Sequence, residues 1–246
     1  MKPITYNDLN ILYEDNHIIV VVKPFNVPSQ SDITGDIDML TLVKQYIVNK
    51  YNKKGDAYVG LVHRLDRPTG GVMVFAKTSK AAGRLCEMIK SGDMKKRYFA
   101  VVCGTPTHKS GKLTHYLKKD SKNNTVVIAP LFEEGAKYAE LDYKVIDNAQ
   151  GFSLVDINLI TGRSHQARVQ MASLGTPIFG DMKYGADKRS KGYNLGLFAV
   201  ELSFIHPTTQ ERMVFRVFPP SDISPWKAFN LEKHLNITVN DLKDSQ

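Results

Sequence analysis

Cysteine is almost missing from this chain: Cys86 and Cys103 are the only two among 246 residues. Two isolated thiols cannot form a disulfide framework, and their separation is not that of a zinc site. Both are expected to be ordinary buried thiols. Long apolar runs are missing as well. No stretch approaches the ~20 consecutive apolar residues of a membrane helix. Residues Met1 to Asp8 lack the apolar segment of a secretory signal, so a cytoplasmic protein without a membrane partner is expected. His63, His165 and His206 show no metal-ligand spacing on one helix face, and no metal site is expected. Phosphate-cradling loops of the Walker or dinucleotide type are also lacking, and Gly70-Gly71 reads as a turn.

Acidic residues are scarce in one region only. Residues 60–120 hold 13 Lys+Arg against 4 Asp+Glu, a balance of +9, whereas the whole chain carries +8. The remainder is therefore close to neutral. A cationic field of this kind suits attraction of a polyanion, although solvated helix and loop surfaces can produce it too. A hydrophobic content of 42% allows a sizeable core in one large domain or two small ones.

The pattern along the chain is α+β. Ile11 to Glu14 and Ile18 to Val22 flank an Asp15-Asn16 turn and predict a hairpin. Asp38 caps a predicted helix in which Met39, Leu42, Val43, Tyr46 and Ile47 recur at helical spacing, ending near Lys53-Lys54-Gly55. Strands are expected at Val59 to Val62, Gly71 to Ala76 and Lys95 to Val102, with a helix capped by Ser79 running through Ile89 and stopping at Ser91-Gly92. Lys137 to Ile146 and Phe152 to Ile160 pair across Asn148-Ala149-Gln150-Gly151, and Leu197 to Ile205 pairs with Arg212 to Phe218. Ser224-Pro225-Trp226 opens a short last helix. No linker interrupts this pattern. The expected organisation is an N-terminal arm at 1–10, one main domain at 11–230 and a polar tail at 231–246, loose after Asn236.

Two constellations carry chemistry. In His63-Arg64-Leu65-Asp66-Arg67-Pro68-Thr69-Gly70-Gly71 a carboxylate stands among two arginines and a histidine, ahead of an apolar strand. A solvated acid needs no such company and a buried one without partners is costly, so Asp66 reads as an ionised group held for chemistry or recognition. The second constellation is Thr161-Gly162-Arg163-Ser164-His165-Gln166-Ala167-Arg168. There Ser164 is expected to cap a helix running to Gly175, whose first-turn N–H groups beside two arginines make an anion site or, alternatively, a plain surface helix. His63 fits a hydrogen-bonded scaffold role. Tyr98, in an apolar strand, fits the core, and Arg64 fits a structural pair with a nearby carboxylate.

The first block, with Ala76-Lys77-Thr78 after it, resembles the active-site signature of the RluA family of RNA pseudouridine synthases. Gly162 to Arg168, Gly175 to Asp181 and Tyr184-Gly185 are similar to that family's second block. The resemblance extends from about Ile11 to Pro219 and departs at Gly70, Ala167 and Phe198. It implies the pseudouridine synthase fold: a mixed, mostly antiparallel sheet with flanking helices and a central active-site cleft. It also implies Asp66 as the catalytic aspartate, Tyr98 as the residue stacking on the target base, Arg168 as the partner of the aspartate, and Arg64 as the side chain entering the RNA when the uridine flips out. His63, Arg67, Lys95, Lys96, Arg97, Arg163 and His165 are the further expected RNA contacts. The implied reaction is the isomerisation of uridine to pseudouridine, which has no net redox change and transfers no external group, so no cofactor is expected. The implied substrate is structured RNA, ribosomal or transfer, acted on by a monomer that lacks the small N-terminal RNA-binding domain of many relatives. A basic RNA-binding or RNA-folding protein using the same cleft without turnover is the alternative. A hydrolytic carboxylate enzyme is disfavoured for want of an evident second acid.

Overall fold

The computed structural model describes residues 3–235. The chain divides into two compact units, residues 3–94 with 201–217 and residues 95–200 with 218–235. The sequence pattern reads as one continuous domain because no composition shift marks the crossing. The boundary falls in the short turn after a helix, where Gly92 (φ +80°) ends the helix and the chain enters a new strand three residues later.

In the first unit, β1 (Asn10–Glu14) and β2 (Ile18–Lys23) form the expected hairpin, with Asp15 Oδ1 accepting from the His17 and Ile18 amides at the turn. β2 also pairs antiparallel with β4 (Gly70–Ala76), in which every residue is buried. Such a run without alternation suits a strand covered on both faces. The predicted strand at 59–62 shrinks to β3 (Gly60–Leu61), paired with the end of β4. Asp38 caps α1 (Met39–Lys50) as expected. The cap of α2 (Ser79–Ser91) is Thr78 and not Ser79, because Thr78 has the extended backbone a cap requires and its hydroxyl accepts from Ala81 N. Ile18, Val20, Val72, Val74, Leu85 and Phe204 share the core of this unit.

The second unit is a run of antiparallel strands in the order β5 (Lys95–Cys103), β9 (Phe152–Leu159), β8 (Lys137–Ala149), β6 (Ser110–Asp120), β7 (Thr125–Ala129). β8 and β9 turn through Gln150 (φ +53°) and Gly151 (φ +80°), the pair of positive angles a two-residue hairpin needs. The helix of the second sequence block, α3 (Gln166–Ser173), packs Val169 against Leu117, Val126 and Ala139.

β10 (Leu197–Ile205) and β11 (Arg212–Arg216) form the last hairpin, and residues 201–217 close the first unit. The region expected to be a tail begins ordered: Leu231 and Leu235 are buried and α4 occupies Glu232–Leu235. The loose stretch expected after Asn236 lies outside the described residues. At the other end the expected arm carries a 3-10 turn at Tyr6–Asp8, and β1 begins inside it at Asn10. Both cysteines are half-buried and not core thiols; each sits where its element meets the surface.

Candidate active site

Asp66 lies in the first unit, in a loop between β3 and β4 that has no regular structure of its own. Its backbone is nevertheless pinned. The Asp66 carbonyl accepts from Thr69 N (2.9 Å), closing the turn. Ser29 Oγ donates to Leu65 O (2.7 Å) and accepts from Leu65 N (3.1 Å), clamping the residue before the aspartate. Lys23, fully buried at the end of β2, donates to the carbonyls of Pro24 (3.0 Å), Arg67 (2.9 Å) and Thr69 (2.7 Å). Three protons meet three acceptors, which satisfies buried backbone groups that the loop itself cannot pair. Burial pulls the Lys23 pKa down to about 7; the negative charge of Asp66 acts against that pull and Arg67 adds to it. His63 Nε2 accepts from Val74 N (3.1 Å) and the residue is buried, an arrangement that fits a scaffold role and not the direct RNA contact also expected of it.

The arginines flanking Asp66 differ. Arg64 is exposed. Arg67 donates to Asp32 (3.3 Å), to Thr34 Oγ1 (2.8 Å) and, in a very short contact, to Asp36. Arg67 and Asp36 border a cavity of about 600 Å³ whose wall also includes Tyr6, Asn26 and Gln45. Just past the end of β4, Lys77 reaches Glu14 Oε1 (2.5 Å) and Asp15 O (2.6 Å). Burial alone would raise the Glu14 pKa, but hydrogen bonds from Lys50, Lys77, Tyr51 and Tyr46 bring it to about 2. Lys77 of the signature thus braces the β1–β2 turn.

In the second unit, β5 presents two faces. Tyr98 is buried at 6% exposure. On the opposite face Arg97 makes a bidentate pair with Asp156 (2.8 and 2.9 Å), donates to His234 O and lies over the Phe99 ring. Lys95 is exposed and Lys96 half-buried. The second block differs from expectation at its turn. Ser164 is exposed and does not cap α3; the N-cap is His165 in a left-handed conformation (φ +51°) with no side-chain cap bond. Gln166 takes over, its Oε1 accepting from Arg163 N (3.0 Å) and Thr161 Oγ1 (2.7 Å). Arg163 is exposed and donates through Nε to Tyr138 O, while His165 Nδ1 meets Tyr184 OH at 2.8 Å. Arg168 is not at the surface beside this turn. It is buried, donates to both oxygens of buried Asp181 (2.7 and 2.8 Å) and lies over Tyr184 at 5.2 Å. Gly180, just before Asp181, has φ +78°, and a Cβ there would stand 2.8 Å from Asn194 O, so only glycine fits.

The sequence reading did not single out Lys23 or Ser29. A lysine ending an apolar strand before a proline looks solvated, and nothing local marks carbonyls that arrive from residues 67 and 69. Among the described residues no group of His, Cys, Asp and Glu is arranged to hold a metal, and no helix is long and apolar enough to cross a membrane.

Residues 17–173 match the family model described as RNA pseudouridylate synthase. The uncharacterized RNA pseudouridine synthase YjbO of Bacillus subtilis (strain 168) is 36% identical over 220 residues, covering 88% of this chain and 74% of that relative. The ribosomal large subunit pseudouridine synthase D of Vibrio cholerae is 34% identical over 230 residues, covering 87% and 68%. Among solved structures, human RNA pseudouridylate synthase domain containing 1 superposes with a TM-score of 0.74 over 99% of this chain and 98% of its own, at 22% identity. That likeness bears on fold, which is the α+β pseudouridine synthase fold.

Proposed function

This chain belongs to the RluA type of the RNA pseudouridylate synthase family, and we propose on that premise that Asp66 is the carboxylate with which it isomerises specific uridines of structured RNA, ribosomal or transfer, to pseudouridine. The observation that carries the reading is the Asp66 loop, an irregular segment fixed on both sides of the aspartate by three buried side chains, Lys23, Ser29 and His63, so that the carboxylate is held in one place. Positioned groups of this kind lower barriers by orientation and by stabilising charge.

The reaction breaks the bond from uracil N1 to the ribose, turns the base and joins its C5 to the same carbon; C5 gives up a proton and N1 gains one, so atoms balance without a co-reactant. Asp66 supplies the carboxylate that meets the reacting nucleotide. Tyr98 provides a flat platform for the detached base. Arg168, oriented by Asp181 and Tyr184, supplies positive charge for the carboxylate. Arg64, exposed, fills the gap left in the RNA by the flipped uridine. Arg67, Arg163, His165 and the lysines before Tyr98 contribute RNA contacts.

A pseudouridine map of total RNA with and without the gene tests this, followed by conversion of the lost site by purified protein. Asp66→Asn should lower turnover at that uridine at least a thousandfold while melting temperature and RNA affinity stay near those of the wild type, because the charge serves the transition state. Turnover within tenfold of the wild type would refute the assignment of Asp66, and an unchanged map would refute the function.

A further inference from the structure

The three basic residues before Tyr98 are not equivalent. Lys95 is exposed and Arg97 is spent on Asp156 and the His234 carbonyl. Lys96 is different. It is half-buried at the start of β5, opposite Leu159 on β9, and among the described residues no carboxylate or hydrogen-bond acceptor meets its ammonium. Burial accordingly pushes its pKa down with no charge opposing it. Other deeply placed cations among the described residues have partners: Lys23 has three carbonyls, Lys77 has Glu14, and Arg168 has Asp181. An ammonium withdrawn from water without a counter-charge is costly, and an arriving anion repays that cost.

Position specifies the anion. Lys96 and Tyr98 are two residues apart on one strand, so they share a face of β5 and their Cα atoms lie ~6.7 Å apart. Arg97 and Phe99 share the other. Beside Lys96 stands Gly162 of the second block, where a Cβ would come 3.2 Å from Nζ. Gly162 has no positive φ, so what its missing side chain provides is room at the ammonium and not a special backbone.

We propose that Lys96, in the space left by Gly162, binds a phosphodiester of the RNA immediately adjacent to the target uridine and so sets the register of that nucleotide on Tyr98. This rests on the reading of Tyr98 as the residue facing the target base. A phosphate there fixes the strand without reading sequence, in keeping with the division of labour between backbone and base contacts.

The test uses the full chain and the stem-loop bearing the uridine found by the map, made with a single uncharged methylphosphonate at each linkage in turn. For wild type, one linkage flanking the uridine should stand out, with affinity and kcat/KM reduced roughly tenfold or more. Lys96→Met should show the same loss on the unmodified RNA and no further loss at that linkage, and its slope of log affinity on log salt should be shallower by about 0.7. Lys96→Arg should recover part of the affinity, and Gly162→Ala should cost a few-fold by crowding Nζ. Melting temperatures near wild type establish that each variant is folded, and Lys96→Gln replaces Lys96→Met if the latter is not. Losses that simply add at every linkage, or an unchanged salt slope, would overturn the proposal. Wild type that binds the stem-loop without converting its uridine would refute the isomerase reading, while the coupling between Lys96 and the linkage would still decide this one.

Discussion

Asp66 and Arg168 are held by opposite means. The aspartate sits in a loop whose backbone is fixed from outside: Lys23 and Ser29 bond to the carbonyls and amide around it. The arginine sits on a helix whose backbone needs no help, and there the side chain itself is fixed, by Asp181 on two bonds and by the Tyr184 ring. A short side chain is aimed by its main chain, whereas a long flexible one must be aimed at its end, since most of its rotamer freedom lies beyond Cβ. The two arrangements should therefore fail differently when broken.

The largest effect is expected where the side chain is the anchored part. Asp181→Asn leaves Arg168 buried with a weakened partner and should cost ~3–5 kcal/mol, the range for breaking a buried pair. Arg168→Met should cost a similar amount and also abolish most turnover. The double variant should be less unstable than the two losses combined, because no orphaned charge remains. Urea unfolding of the four proteins measures this. Strict additivity would show that the pair contributes nothing beyond the packing of its two members.

Breaking the loop should act on activity as well as on stability. Lys23→Met strands three carbonyls, and kcat should fall roughly 10- to 100-fold with RNA affinity little changed, because misplacement of a reacting group is felt in the chemical step. The pH dependence has a definite sign. With a folded pKa of about 7 against an ordinary value of 10.5, the unfolded chain binds more protons than the folded one between those values, so this group makes stability rise with pH across that window. The rise should vanish in Lys23→Met. Asp66→Asn removes the charge that favours the ammonium and should shift the Lys23 titration below 7, as read from the carbon-13 resonance of its Cε. A titration that does not move would show that Asp66 does not act on Lys23.

What was legible beforehand follows the same division. Periodicity and turn residues located β1, β2, α1, β4, β5 and the Gln150-Gly151 hairpin, because each depends on neighbours in sequence. Asp66 stood out by the company of His63, Arg64 and Arg67. The cap of α3 was misread because Ser164 is a good capping residue locally, while the bonds that decide the turn come from the Gln166 side chain and reach back to Thr161 and Arg163. Lys23 and Asp181 were hidden for a related reason. A buried charge is recognised by acceptors 13 to 46 residues away, and no window of sequence contains both.

The smallest effect should come from the other arginine of the signature. Arg67 also pairs with two carboxylates, yet both Asp32 and Asp36 are exposed, and their hydrogen bonds hold in water. The hydrogen bond from Arg67 lowers the pKa of Asp36, but salt and solvent screening leave such a pair little to contribute to folding. Asp36→Asn should therefore shift the melting temperature by less than about 3 °C. Its effect on RNA should be opposite to that of the other variants. Arg67 borders an open cavity together with Asp36, and a phosphate approaching it must compete with that carboxylate. Neutralising that carboxylate removes one of the two ion pairs on the guanidinium, leaving the one with Asp32, and lowers the local negative charge by one, so RNA affinity should rise a few-fold at low salt and return to the wild-type value as the salt is raised. Weaker binding, or a large fall in melting temperature, would show that the Arg67 pair is a structural brace like Arg168 with Asp181, and the contrast between anchored and exchangeable arginines would not hold.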